Sequence, residues 1–133
     1  KFREMVKLQG GDVHALDHPE KLPHAKHMLE VLSTKSGFVT AIECEAIGTA
    51  CAVLGGGREK KEDAIDPGVG IVLHRKVGDP ISAGESLCTV HYNSNGLGAR
   101  AKDILLRSYH IADVPPAKHR ALVHRVIRGS GGK

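Results

Sequence analysis

The sequence has no tryptophan and only two phenylalanines and two tyrosines in 133 residues. With aromatics at 3%, the interior has to be assembled from Val, Ile, Leu and Ala. A hydrophobic share of 41% supports one small core. No apolar run approaches the roughly 20 residues that cross a bilayer, so a membrane-spanning helix is excluded. The opening KFREMVKLQGGD has neither a continuous apolar segment nor an initiator Met. It reads as the middle of a helix rather than a secretory leader, so the chain is expected to be a piece of a longer cytoplasmic protein. Cysteine is scarce: Cys44, Cys51 and Cys88 make an odd set with no CxxC pair. That argues against a disulfide framework and a closed zinc site, and all three are expected to be buried free thiols.

Charge is ordinary in amount, 26%, with a net of +4. It is uneven in place. From Ala99 onward Arg100, Lys102, Arg107, Lys118, Arg120, Arg125, Arg128 and Lys133 stand against Asp103 and Asp113. Single-strand binders interleave such charges with several aromatics that stack on bases, and this run lacks them. A solvated face, or one turned toward the rest of a longer protein, is expected, with no nucleic-acid or membrane partner. A basic nucleic-acid-binding module stays as an alternative.

Along the chain, Phe2, Met5 and Val6 have helical spacing before Gly10 and Gly11. Residues 12–31 read as a polar connector with at most one short helical turn. GFVTAIECE, 37–45, reads as a strand with Phe38, Thr40, Ile42 and Cys44 on one face. Ile47, Ala50, Cys51 and Leu54 mark a short helix, stopped by Gly55. VGIVLH, 69–74, is apolar on both faces, as in a buried strand. Turn signals at Asp79-Pro80 and Ala83-Gly84 break 69–92 into a three-strand meander. Leu97, Ala101, Ile104, Leu105 and Ser108 give a second helix, capped by Ser94 or Asn95. Residues 117–127 fit a helix or a strand, and RGSGGK is a flexible tail.

LGGGREKKED, 54–63, invites a comparison with phosphate-binding loops. No Ser or Thr follows Lys60 or Lys61, and the glycines come after a helix instead of leading into one. The stretch is better explained as a tight reversal at Gly55 and Gly57, needing positive φ or close approach, followed by a solvated loop. Asp66-Pro67-Gly68 then forms a turn into the next strand.

The order of these pieces resembles the C-terminal domain of the pyrimidine-nucleoside phosphorylases, which include thymidine phosphorylase. That family's pattern is a helix ending in LGxGR, a charged loop, IDxxVG, a strand, then VGDxVxxGExLxxxH. The matching residues are Leu54, Gly55, Gly57 and Arg58, then Ile65, Asp66, Val69 and Gly70. Val77, Gly78, Asp79, Gly84, Glu85, Leu87 and His91 complete them. FREMVKLQGGD is similar to the last helix of the family's central α/β domain. Ile81 stands where Val is usual, and Pro80 follows Asp79, where it suits the second position of a turn.

The resemblance implies an α+β fold: a flattened β-barrel or sandwich with α/β-hammerhead-like elements, one short crossing helix and one C-terminal helix. It divides the chain into 1–30, the end of an upstream α/β domain plus connector, 31–128, the domain itself, and 129–133, a tail. It implies a parent transferase that converts a pyrimidine nucleoside and phosphate to free base and pentose 1-phosphate. Phosphate is then a co-substrate, no cofactor is needed, and the parent is a homodimer. The family's phosphate- and base-binding residues lie in upstream domains, so no catalytic, cofactor-binding or metal residue is assigned here. The expected structural turn residues are Gly55, Gly57, Arg58, Asp66, Gly70, Gly78, Asp79 and Gly84.

Other chemistry is weaker. His14 and His18 are four apart, and His24 and His27 flank the same connector, but no third metal ligand stands near. His74 and His91 end two strands and could pair across the sheet. VGDPISAGESLCTVH also looks like half of a biotinyl or lipoyl carrier. A carrier needs a lysine at a hairpin tip, a setting that Lys60, Lys61 and Lys76 lack.

Overall fold

A computed structural model describes residues 1–58, 60–117, 123 and 125–127. Helix α1 is Phe2–Leu8, followed by two 3-10 turns, Val13–Leu16 and Pro19–Lys21. Strands β1 (His27–Leu32) and β2 (Gly37–Ile42) precede helix α2 (Cys44–Cys51), which a wider helical turn, Ala52–Gly56, prolongs. Strands β3 (Gly70–Leu73), β4 (Pro80–Ile81) and β5 (Ser86–Tyr92) lead to helix α3 (Asn95–Ser108) and strand β6 (Tyr109–Ala112).

The architecture is α+β, and its strands form two antiparallel three-stranded sheets, β1-β5-β3 and β4-β2-β6. Among the described residues there is no closed barrel. The expected meander is also corrected. β3 pairs directly with β5, while β4, between them in sequence, crosses to pair with β2 in the other sheet. Pro80 therefore opens a strand and does not sit inside a turn. No helix among the described residues is long and apolar enough to cross a membrane.

Two apolar clusters hold the layers. Val31, Ala50, Leu54, Cys88, Val90, Ala101 and Leu105 join sheet β1-β5-β3 to α2 and α3. Val39, Ile81 and Tyr109 of the other sheet form the smaller cluster with Leu87 of β5. Ile47 packs against both. The helical face drawn from spacing thus points inward, with Ala50 and Leu54 buried.

Several strands differ from the sequence reading. β1 lies in the stretch read as connector. Burial alternates along it, Leu29 and Val31 inward and Met28, Glu30 and Leu32 exposed, but Met28 (67% exposed) and Leu32 are apolar, so the polar–apolar alternation is faint in the sequence. β2 ends at Ile42, because Glu43 takes the capping position of α2 and its N–H donates to the Ser108 carbonyl at 2.9 Å. Cys44 and Glu45 are therefore helical. β2 also shifts register between Val39 and Ala41; Val39 is its one fully buried residue, and Ile42 packs against the same cluster. β3 is an edge strand with Val72 49% exposed, not a strand buried on both faces. β6, just after α3, is a strand that the sequence reading did not assign. Residues 117–127, left open between helix and strand, fall largely outside those described, as does the tail.

Leu105 is fully enclosed by α3, the first sheet and the α2 turn. Truncation there removes transfer free energy and leaves a cavity. Leu105→Ala is expected to cost about 2–5 kcal/mol in urea unfolding. A loss under about 0.5 kcal/mol, the size of an ordinary surface change, would contradict the placement of the core.

Candidate functional site: a carboxylate-clipped turn edge

The turns share one device. In Lys76–Asp79, the Asp79 carboxylate accepts from Lys76 N–H at 2.8 Å and Asp79 N–H donates to the Lys76 carbonyl at 3.0 Å. In Ser82–Glu85, Glu85 accepts from Ser82 N–H at 2.8 Å and its N–H donates to the Ser82 carbonyl at 3.0 Å. The third residue of each is a glycine at positive φ, Gly78 at +100° and Gly84 at +87°, as a type II turn requires. Each turn is also gripped by a strand partner. Gly78 N–H donates to the Val39 carbonyl and Val39 N–H to that of Asp79, at 2.8 and 3.0 Å. Gly84 and Glu85 repeat this with Ser33, both bonds at 2.8 Å. Lys60–Asp63 carries the same carboxylate clip without a glycine, Asp63 accepting from Lys60 N–H at 2.8 Å.

Asp66 ties the glycine run to the sheet end. Its N–H donates to the Gly55 carbonyl at 2.9 Å, where Gly55 reverses the chain at φ +98°. Its carboxylate accepts from Gly68 N–H at 2.9 Å and from the Asn93 amide at 2.6 Å. These two donors, Asn93 foremost, hold the Asp66 carboxyl below its ordinary value, since both stabilise the ionised form. Asn93 in turn accepts from Lys26 N–H at 2.7 Å. Gly57 is extended at φ −140°, so its glycine identity is explained by approach and not by handedness. An added Cβ there would lie 3.2 Å from that of Ala52. Arg58 is exposed beside it. Gly70 opens β3 with open space where a Cβ would go, and nothing in the structure requires glycine there.

Asn93 and Lys26 are not singled out from sequence, and Gly68 only as a turn residue. Asp66 and Asn93 are 27 positions apart, Lys26 and Asn93 67 apart, and neither pair leaves a local pattern.

The remaining candidates are scattered. His74 bonds Thr89 at 2.7 Å, whereas His91 sits opposite Gly70; antiparallel pairing puts these histidines at opposite ends of β3, so they do not meet. His18 and His24 both engage Glu20, through its carboxylate and its carbonyl. Among the described residues no three His, Cys, Asp or Glu side chains gather in a metal-binding group. Lys76 lies between strands of different sheets, and Lys60 and Lys61 precede β3, so none stands at the tip of a hairpin. An open groove of about 400 Å³ runs between the glycine turn and α3, lined by residues including Gly55, Gly57, Leu97 and Arg100. Among the described residues, its lining has no histidine, cysteine, serine or threonine.

The thiols are unlike one another. All three are free, but Cys44 is exposed at the start of α2, Cys51 is half-buried and only Cys88 is buried. The helix begins three residues before Ile47, the first residue of its apolar spacing, and Cys44 at its start is outward. Burial, with a smaller push from Glu30, raises the Cys88 thiol to about 11. Burial and neighbouring Cys88 raise Tyr109 to about 12.

An α+β domain fastened by clipped turns is the class these observations define. The family model described as "Pyrimidine nucleoside phosphorylase C-terminal domain" matches residues 38–112, and the chain belongs to that family. It is 45% identical over 129 residues, 96% of its length, to the pyrimidine-nucleoside phosphorylases of Staphylococcus aureus strains USA300, COL and MW2. The chain spans 29% of the length of these relatives.

Two predictions follow from the geometry of this edge. Gly57→Val should destabilise the domain by about 1 kcal/mol or more, through the crowding at Ala52; an unchanged melting temperature would count against it. The second concerns alkali. Cys88 releases its proton near 9.0 when free but near 11 when folded. Tyr109 is shifted in the same direction. The unfolded chain therefore ionises first, so these groups' contribution is complete below about pH 9 and is lost as pH rises toward 11. Urea midpoints should fall between pH 8 and pH 10.5, and Cys88→Ala should flatten that slope; an equal slope in the variant would refute the assignment.

Proposed function

We propose that the chain is the C-terminal lobe of a phosphorylase that takes a pyrimidine nucleoside and inorganic phosphate and releases free base and pentose 1-phosphate. The carrying observation is the 45% identity, across 96% of the chain, to proteins named for that activity. The parent is then a pentosyl-transferring enzyme of nucleoside salvage, of the thymidine phosphorylase type. It is cytoplasmic and homodimeric, with phosphate as co-substrate and no cofactor. In this reading the chain alone turns over no nucleoside.

The glycine run supports that last point. It follows the C-terminal end of a helix, where backbone carbonyls carry partial negative charge; phosphate is instead drawn to the N–H groups at a helix start. The bare apolar side chains of α1, Phe2 at 66% and Leu8 at 80% exposure, support placing α1 as the last helix of an upstream α/β domain. The clipped turns give the lobe a fixed shape against which the upstream domains pack. Catalysis, in this reading, belongs to those domains and rests on positioning and on electrostatic support of the phosphate and the departing base.

The test is an exchange. The 129 matching residues of the Staphylococcus aureus enzyme are replaced by this chain, and phosphorolysis of thymidine and uridine is measured. Activity within roughly tenfold of the unaltered enzyme, about 1.4 kcal/mol of barrier, is expected. The chain alone should show none. A folded but inactive hybrid, or turnover by the isolated chain, would overturn the reading.

A further inference from the structure

Residues 1–25 form an arm with its own internal bonds. The Arg3 guanidinium pairs through both terminal nitrogens with the Asp17 carboxylate, closing α1 onto the first 3-10 turn. Asp12 accepts from His14 N–H at 2.8 Å, and the His24 ring engages the Glu20 carbonyl at 2.7 Å. Among the described residues no hydrogen bond runs from this arm to the two-sheet body. The first crossing bond is Lys26 N–H to Asn93, 2.7 Å.

Asn93 cannot present its amide arbitrarily. The Asp66 carboxylate only accepts, so it takes the NH₂ end of the Asn93 amide and leaves the oxygen for Lys26. Asp66 is itself fixed by Gly68 N–H. Gly68 also lies directly against the connector: a Cβ on it would be 2.9 Å from the His24 carbonyl carbon and 3.0 Å from its oxygen. One face of the connector is thus held by a bond and the same stretch is located by a steric stop.

We propose that Asp66, Asn93 and Gly68 form a latch that sets the direction in which the arm leaves the two-sheet body. Releasing it frees the arm to swing about residues 24–26 while both apolar clusters stay packed. The latch is built from this chain's own contacts and does not depend on the phosphorylase reading. In a longer protein it would fix the angle between this lobe and whatever the arm belongs to.

Limited trypsin digestion of the full chain tests it, because Lys26 adjoins the latch and its cleavage needs local opening. Asn93→Ala removes the bond at an exposed position. Gly68→Ala inserts the missing methyl. Both should speed cleavage after Lys26 by at least roughly tenfold, while cleavage after Lys7 in α1 and Arg107 in α3 stays within about twofold. Should Asn93→Ala fail to fold, shown by its circular dichroism, Gly68→Ala decides alone. An unchanged Lys26 rate would overturn the latch. So would an equal acceleration at Arg107, which marks general destabilisation.

Discussion

Burial of β5 against both apolar clusters is the constraint on which the two sheets depend. Leu87 enters the smaller cluster beside Val39, Ile81 and Tyr109, while its neighbour Cys88, with Val90, enters the larger one. Adjacent residues of a strand face opposite ways, so two consecutive buried side chains need packing on both faces. The Leu87 carbonyl collects donors from both directions as well: His74 N–H at 2.9 Å, Arg75 N–H at 3.3 Å and the Tyr109 hydroxyl at 3.4 Å. In a chain this poor in aromatics, one strand shared between two small clusters makes a single cooperative unit out of pieces too small to stand apart.

Around that strand the chain is fastened by carboxylates rather than by further apolar mass. Asp63, Asp79 and Glu85 each close a four-residue turn by accepting from the first N–H. Asp66 does the larger job of joining the α2 end, the β3 approach and the end of β5. Charge-assisted bonds of this kind are short and directional, which suits segments that must hold a shape while facing water. The charged loop after the glycine run is therefore part of the scaffold. The same segments resemble a phosphate cradle only in composition.

Family membership gives this scaffold its setting. The relatives are much longer than the chain, and the described residues supply turns, two apolar clusters and an N-terminal arm. Several of the family's motif residues, Gly78, Asp79, Gly84 and Glu85 among them, build the turns on which the fold closes.

The helices and turns were largely legible from short-range pattern. Ile47, Ala50 and Leu54 declare a helical face, Gly55 ends it, and Gly78 and Gly84 declare turns, because helix periodicity and positive φ are local properties. β1 was hidden because Met28 and Leu32 stay exposed and blur its alternation. Strand partnership was not legible either: β4 leaves its chain neighbours for β2, and β6 comes back to the same strand. Residue order alone thus fixed the family, the helical faces and the turn positions. Folding in three dimensions decided which strands pair, that Cys44 faces water while Cys88 does not, and that Asp66 meets Asn93. Those outcomes join residues tens of positions apart, and each local pattern is compatible with several partners until the clusters around β5 select one.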